Sequence, residues 1–314
     1  MVLRFILRRL ASGVVLIVVI STIAFGLLYV GGGDIARRIL GQTATAETVA
    51  QKTEQLGLNR PLYEQFVDWV SHAVVGDFGT SWFTGQEVIQ AISSRVAVTL
   101  SLVIGATLIS AIVAVLLGVW AARQRGWPDR LVQVISVLGF AIPGFLIALG
   151  LVIVFAINLG WFKPTGFVQF ATSPSGWLSS ITLPVIALAI GGIAGVTQQI
   201  RGSVIDALRQ DYVRTLRSRG LSANRVIYKH VLRNAGGPAL AVLAVQFVGL
   251  LGGAVIVEQV FAIPGLGQVA VTATNQGDIP LVMGLVVVTA IIVVVVNLVI
   301  DILQGFLNPK VRLS

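Results

Sequence analysis

Cysteine is absent from the 314 residues, which excludes disulfides, thiolate metal sites and a cysteine nucleophile. Histidine is nearly absent too, since His72 and His230 are too few and too far apart for a metal cluster. Of the four lysines, Lys52, Lys163, Lys229 and Lys310, none is preceded by Gly or followed by Ser, and only Lys52 meets a Thr. A phosphate-cradling loop needs glycines, lysine and hydroxyl together, so this chain cannot hydrolyse ATP. Charge is scarce: 11% of residues are charged and 56% are hydrophobic. With a mean hydropathy of +0.91, such a chain cannot clothe a soluble surface, and it is read as an integral membrane protein. The net charge of +9 then reflects basic cytoplasmic loops and not nucleic-acid binding.

What is present is a series of long apolar runs. The first, Leu10–Gly33, follows Arg4, Arg8 and Arg9 and is free of charge for 24 residues. A cleaved signal peptide has an apolar core of only ~7–15 residues and a small-residue cleavage site. This run is longer and closes on Leu27, Leu28 and Tyr29, so a retained first span is expected. Five more runs follow, Val96–Ala122, Leu131–Phe162, Ile181–Ile200, Pro238–Val257 and Ile279–Ile300, each near the ~20 residues a helix needs to cross hydrocarbon. Six spans put both termini on one side. The N-terminus, the Arg123–Arg130 turn, the Arg201–Arg233 loop and the C-terminus hold 16 of the 22 Lys and Arg residues, which makes that side cytoplasmic. His72 then lies outside and His230 inside, so no Ser/His/Asp set can form. Residues 34–95 are mixed in charge and more acidic, as an external segment should be, with an amphipathic helix expected from Pro61. Pro143 and Pro184 sit in or at the start of spans, where proline usually means an absorbed kink. Gly118, inside the second span, is expected to be plainly helical.

Charge is dense in one stretch only, Ser203–Pro238. Tyr212, Val213 and Leu216 recur there at helical spacing between arginines, with Gly220 as a left-handed stop. Ser222 is placed to cap a second helix running toward Pro238.

This stretch resembles the EAA loop, the coupling segment of ABC importer permeases, in its dipeptide/oligopeptide permease variant. The resemblance is carried by Asp211, Tyr212, Val213, Arg214, Thr215, Arg217, Arg219, Gly220 and Leu221, then by Lys229, His230, Leu232, Arg233, Asn234 and Ala235. Arg214 and Thr215 stand where the broader consensus has Glu-Ala, and its terminal proline is displaced to Pro238. The words GLNRP (Gly57–Pro61), GDFGTS (Gly76–Ser81), VEQVFAIPGLG (residues 257–267) and the C-terminal LNPKVR are similar to the same family. Glu258 there should face protein or water, either lining the external mouth of the pathway or anchoring the turn made by Pro264, Gly265 and Gly267. In the last span Asn297 and Asp301 share a face suited to interhelical hydrogen bonding.

The resemblance implies an all-α membrane protein of six transmembrane helices with the type I ABC importer (MetI-like) permease fold. It divides the chain into a first span (1–33), an external segment (34–95) and a core permease domain (96–314) with a coupling loop at 203–236. The implied partners are a second, homologous permease, two cytoplasmic ATPase subunits that bind ATP and magnesium, and an external substrate-binding protein. No cofactor belongs to this chain. The residues implied for ATPase coupling are Asp211, Tyr212, Arg214, Leu216, Arg217 and Gly220. Relatives of this pattern carry di- and oligopeptides; others carry nickel complexes, glutathione or haem. A secondary transporter would be expected to show ionisable groups at midplane and often an internal repeat, and neither is visible. A plain membrane scaffold would not need a basic helical hairpin.

Overall fold

The computed structural model describes residues 2–31, 35–41, 43–124 and 126–307. Asp34 and the LNPKVR word beyond Leu307 lie outside the described residues, as does Met1. Helix is the regular structure throughout: α1 Val2–Gly31, α2 Ile35–Leu40, α3 Ala46–Gln55, α4 Leu62–Ala73, α5 Val88–Gln124, α6 Trp127–Ala141, α7 Gly144–Leu151, α8 Pro174–Leu208, α9 Asp211–Ser218, α10 Ala223–Arg225, α11 Leu232–Val260, α12 Leu266–Gln276 and α13 Ile279–Leu307. Wider π-helical turns prolong α7 through Asn158 and join α10 to α11 over Val226–Val231.

Among the described residues, five helical stretches are long and apolar enough to cross a bilayer: Phe5–Leu28, Val88–Gln124, Pro174–Leu208, Ala223–Val260 and Ile279–Phe306. The third expected span, Leu131–Phe162, is not one helix. It breaks into Trp127–Ala141 and Gly144–Asn158, bent by 94°, and counts as a sixth span only if the pair is taken together. At the break Ile142 is extended (φ −87°, ψ 119°), as a residue before proline prefers, and Pro143 has no N–H to continue the ladder. Pro184 meets the same penalty, yet α8 continues through it. Leu183, Pro184 and Val185 are buried by surrounding helices, whereas Ala141–Leu146 are exposed, so packing holds the one helix and nothing holds the other.

Two further boundaries correct the sequence-based expectation. The helix expected to run from Ser222 toward Pro238 does not end there, and no separate span starts at Pro238. One continuous helical stretch runs from Ala223 to Val260, with Ala235 and Ala239 buried on either side of Pro238. The fourth span likewise continues beyond Ile200 to Leu208, into the polar stretch.

The chain forms two compact units. The first comprises Met1–Ile6, Val98–Gly267 and Val295–Ser314. Its core near the polar stretch is built by Val119, Val196, Ile200, Val204, Val213 and Val231 among others. Gly118 is helical as expected, but it is no neutral position. A Cβ there would stand 2.9 Å from Ile200 Cγ2 and 3.1 Å from the Arg201 backbone nitrogen, so this glycine sets a close approach of α5 to α8.

The second unit comprises Leu7–Ala97 and Gln268–Val294. Phe25, Ile35, Ile279 and Met283 are its buried centre, with Phe66 edge-on to Phe25 at 5.1 Å between ring centroids. Asp278 is fully buried and ties the GDFGTS word to α13: its carboxylate accepts from Ser81 Oγ and from the Trp82 N–H at 3.3 Å. Ser81 in turn accepts from the Phe83 and Thr84 N–H groups, so the turn is fixed from both sides. Exposed His72 is held above its ordinary pKa chiefly by the hydrogen bond of Nδ1 to the Asp68 carbonyl, with the Asp68 and Asp77 charges adding to it.

Candidate coupling surface and buried acid turn

Helix α9 is short, and its sequence sorts into two faces. Val213 is buried, and Tyr212 and Leu216 are half-buried against Val204, Val226 and Val231 of the first unit's core. The opposite face carries Asp211, Arg214 and Arg217, all exposed; Arg214 and Asp211 form an i,i+3 pair at 3.7 Å with side chains 83% and 96% accessible. A pair that open to water contributes little to stability. The six residues named from the sequence therefore divide: Tyr212 and Leu216 seat the helix, Asp211, Arg214 and Arg217 are what it presents, and Gly220 lies beyond its end. Val213, the most buried residue of the helix, was not among them, although its place in the apolar stripe was visible.

The end of α9 is closed by a Schellman arrangement. Gly220 stands at φ +81°, its N–H donates to the Arg217 carbonyl at 2.9 Å, and the Leu221 N–H reaches back to the Leu216 carbonyl at 3.2 Å. Leu221 and Leu216 pack on the same core. Ser222 then caps the next helix, its Oγ accepting from the Arg225 N–H at 3.5 Å. Because α8 precedes α9 by two residues and a continuous helical stretch follows from Ala223, α9 is a short elbow between two long helices.

One ion pair at this end of the first unit was not legible in the sequence. Arg201 on α8 grips Asp129 on α6 with both Nε and Nη2, the latter 2.7 Å from Oδ2. Residues 72 positions apart give no local signal of such a pairing.

The turn after α11 is organised by Glu258, which is fully buried. Its Oε1 accepts from the Thr99 hydroxyl at 2.6 Å, and that hydroxyl accepts from the Leu266 N–H at 2.8 Å. The Glu258 carbonyl accepts from the Ile263 N–H at 2.8 Å. Gly265 and Gly267 lie directly on the carboxylate: a Cβ at Gly265 would overlap it, and one at Gly267 would stand 2.9 Å from Oε2 and 2.6 Å from the Val255 Cα. Pro264 is exposed, and Ala262 at φ +48° is the single non-glycine with positive φ among the described residues. The glycines are thus required by space around the acid and not by φ.

Against known proteins, residues 114–313 match the family described as binding-protein-dependent transport system inner membrane component, and residues 2–103 match its N-terminal companion. The chain belongs to this family. It is the membrane permease of an ABC importer, multi-pass and non-enzymatic, with ATP hydrolysis left to a separate subunit. A probable peptide ABC transporter permease of Sinorhizobium fredii is 36% identical over 309 residues, covering 98% of this chain and 99% of that one. A glutathione transport system permease of Escherichia coli (strain K12) is 35% identical over 311 residues, covering 99% of each. Among solved structures, the methionine ABC transporter MetNI in inward-facing conformations superposes with a TM-score of 0.58 at 14% identity, covering 70% of this permease and 97% of that chain. An amino acid ABC transporter with histidines gives 0.50 at 18% identity, over 71% and 94%. The permease therefore has the type I importer fold that the sequence words imply.

Proposed function

We propose that this permease forms, with a second homologous permease, the pathway by which an ATP-driven importer takes up short peptides delivered by an external binding protein. The peptide and glutathione permeases at 35–37% identity over the whole chain support that cargo class. The observation that carries the mechanism is α9: an exposed charged face on a helix seated through Tyr212, Val213 and Leu216 against the roots of α8 and α11. Two cytoplasmic ATPases, closing on ATP and magnesium, would push on Asp211, Arg214 and Arg217. With Gly220 locking its end, α9 would pass the displacement to both long helices and switch access of the pathway. Glu258, Pro264, Gly265 and Gly267 act in this reading as a rigid external turn, not as a moving gate. Both termini and α9 are cytoplasmic, and the segment before α5 is external.

Two experiments test this reading. Purified by itself the permease is expected to hydrolyse no ATP, activity appearing only with co-purified ATPase subunits; hydrolysis by the clean single chain would overturn the assignment. Reporter fusions at Gly41 and Ser222 are expected to report opposite sides of the membrane, Gly41 external and Ser222 cytoplasmic. The same side for both would refute the topology.

A further inference from the structure

Of the eight basic residues from Arg201 to Arg233, seven are exposed and Arg201 is largely withdrawn from water. Its partner is Asp129, in the first turn of α6, and the two side chains are only 22% and 17% accessible. The guanidinium holds the carboxylate through two nitrogens, a planar fork that fixes orientation as well as distance. Charges so far from water are costly to keep, and the paired geometry is what makes them tolerable there. Position gives the pair its interest. Arg201 stands between Ile200 and Val204, which belong to the core on which α9 is seated, and α9 itself begins at Asp211.

At its other end α6 is held by close approach. A Cβ at Gly139 would stand 3.5 Å from the Ala194 Cβ and 3.9 Å from the Ile190 carbonyl oxygen, and one at Gly195 would stand 3.4 Å from the Phe140 ring. Between these two attachments the packing is incomplete, since α5, α6 and α8 leave an apolar slot of about 260 Å³ among residues that include Val132, Ser136, Ala194 and Thr197. Just beyond Gly139 the span breaks: the last bond of α6 runs from the Ile142 N–H to the Leu138 carbonyl, and α7 opens on the Pro143 carbonyl and leaves at 94°. Helix α7 packs on both α8 and α11, whereas α6 rests on α8. A continuous helix would carry a displacement from one half of the span to the other, but this ladder is interrupted. Helix α6 must therefore take its motion from α8 through side chains, and the ion pair is the attachment nearest the elbow. We propose that Asp129 and Arg201 are positioning residues of the transport cycle: they carry α6 with the root of α8 when α9 is displaced, and the bend at Ile142 and Pro143 takes up the difference between α6 and α7. This inference rests on the coupling role of α9 given above.

The test uses the assembled transporter in proteoliposomes, with binding protein outside, ATP inside and radiolabelled dialanine as the probe. In Asp129→Asn the dialanine imported per ATP hydrolysed is expected to fall about fivefold or more, while ATP hydrolysis itself stays within about twofold of the wild type. Arg201→Lys keeps the charge and gives up the fork, so it should show a smaller loss of the same kind, and it is the variant to read should Asp129→Asn not accumulate. A merely structural pair would lower abundance and both rates together and leave the ratio alone. A second readout follows α6 directly. Val134→Cys and Ile157→Cys, exposed positions on the two sides of the bend, take spin labels in a chain without cysteine. Their separation is expected to change when ATP is trapped with vanadate, and to change less once the ion pair is removed. An unchanged ratio in both variants, or an equal label displacement with and without the pair, would overturn the proposal. Dialanine uptake absent from the wild type would fail the cargo reading instead, and the label separation, which needs ATP only, then decides the role of the pair by itself.

Discussion

Gly220→Val is expected to cut ATP-driven uptake by about tenfold or more while leaving the permease inserted and abundant. At φ +81° any side chain with a Cβ costs on the order of 1 kcal/mol, and a β-branched one more. No atom lies within 4 Å of the position where that Cβ would stand, so the penalty is conformational and not a clash. A cost of that size does not unfold a protein of this many packed helices. What it changes is the closure of α9: the Gly220 and Leu221 N–H groups lose their carbonyls at Arg217 and Leu216, and the helix end unwinds or runs on. An elbow of altered length presents Asp211, Arg214 and Arg217 in the wrong register to the ATPase. Asparagine tolerates the left-handed region, so Gly220→Asn should restore most uptake. Gly118 cannot serve as the control, because its Cβ would meet α8. Gly249 is the suitable one, helical and with open space around it. Wild-type uptake by Gly220→Val, with ATPases still co-purifying, would place the coupling contact elsewhere.

Gly267→Val should have the opposite character, with loss of the folded permease from the membrane and not loss of coupling alone. The added Cβ would press on the Val255 Cα, a backbone atom that cannot rotate away, and on the Glu258 carboxylate. Displacing that carboxylate disturbs a buried chain of hydrogen bonds in which Thr99 both donates to Glu258 and accepts from Leu266. Thr99→Val tests the same chain without adding bulk. It removes the acceptor of a buried N–H, at a cost of about 1–3 kcal/mol, and takes one donor from Glu258. Thr99→Ser keeps the hydroxyl and should behave nearly as the wild type. Fluorescence-detected size-exclusion after a heating series would rank the variants as wild type, Ser, Val, then Gly267→Val. Equal melting of all four would show that Glu258 does not hold this turn and would revive a role for it at the pathway.

Much of this protein is written in local sequence. Apolar runs of ~20 residues with charge only between them can do little but form helices that satisfy their own backbone. Pro61 opens α4, Ser222 caps the helix after the elbow, and Gly220 stops α9 because each of these preferences belongs to one residue and its immediate neighbours. The alternation of Tyr212, Val213 and Leu216 with arginines likewise fixes which face of α9 turns inward, since the helical period does not depend on what lies beneath. Other features are invisible at that range. Pro143 and Pro184 carry the same local penalty, and only the packing around each decided that the first breaks its helix and the second does not. The donor that Glu258 meets is out of reach of local sequence, because Thr99, which supplies it, stands 159 residues away. Asp129 and Arg201, and Asp278 and Ser81, are paired by the same circumstance. A carboxylate buried against hydrocarbon must find a partner wherever the helices bring one, and that choice is made by tertiary structure because the energy of leaving it unpaired exceeds any local preference.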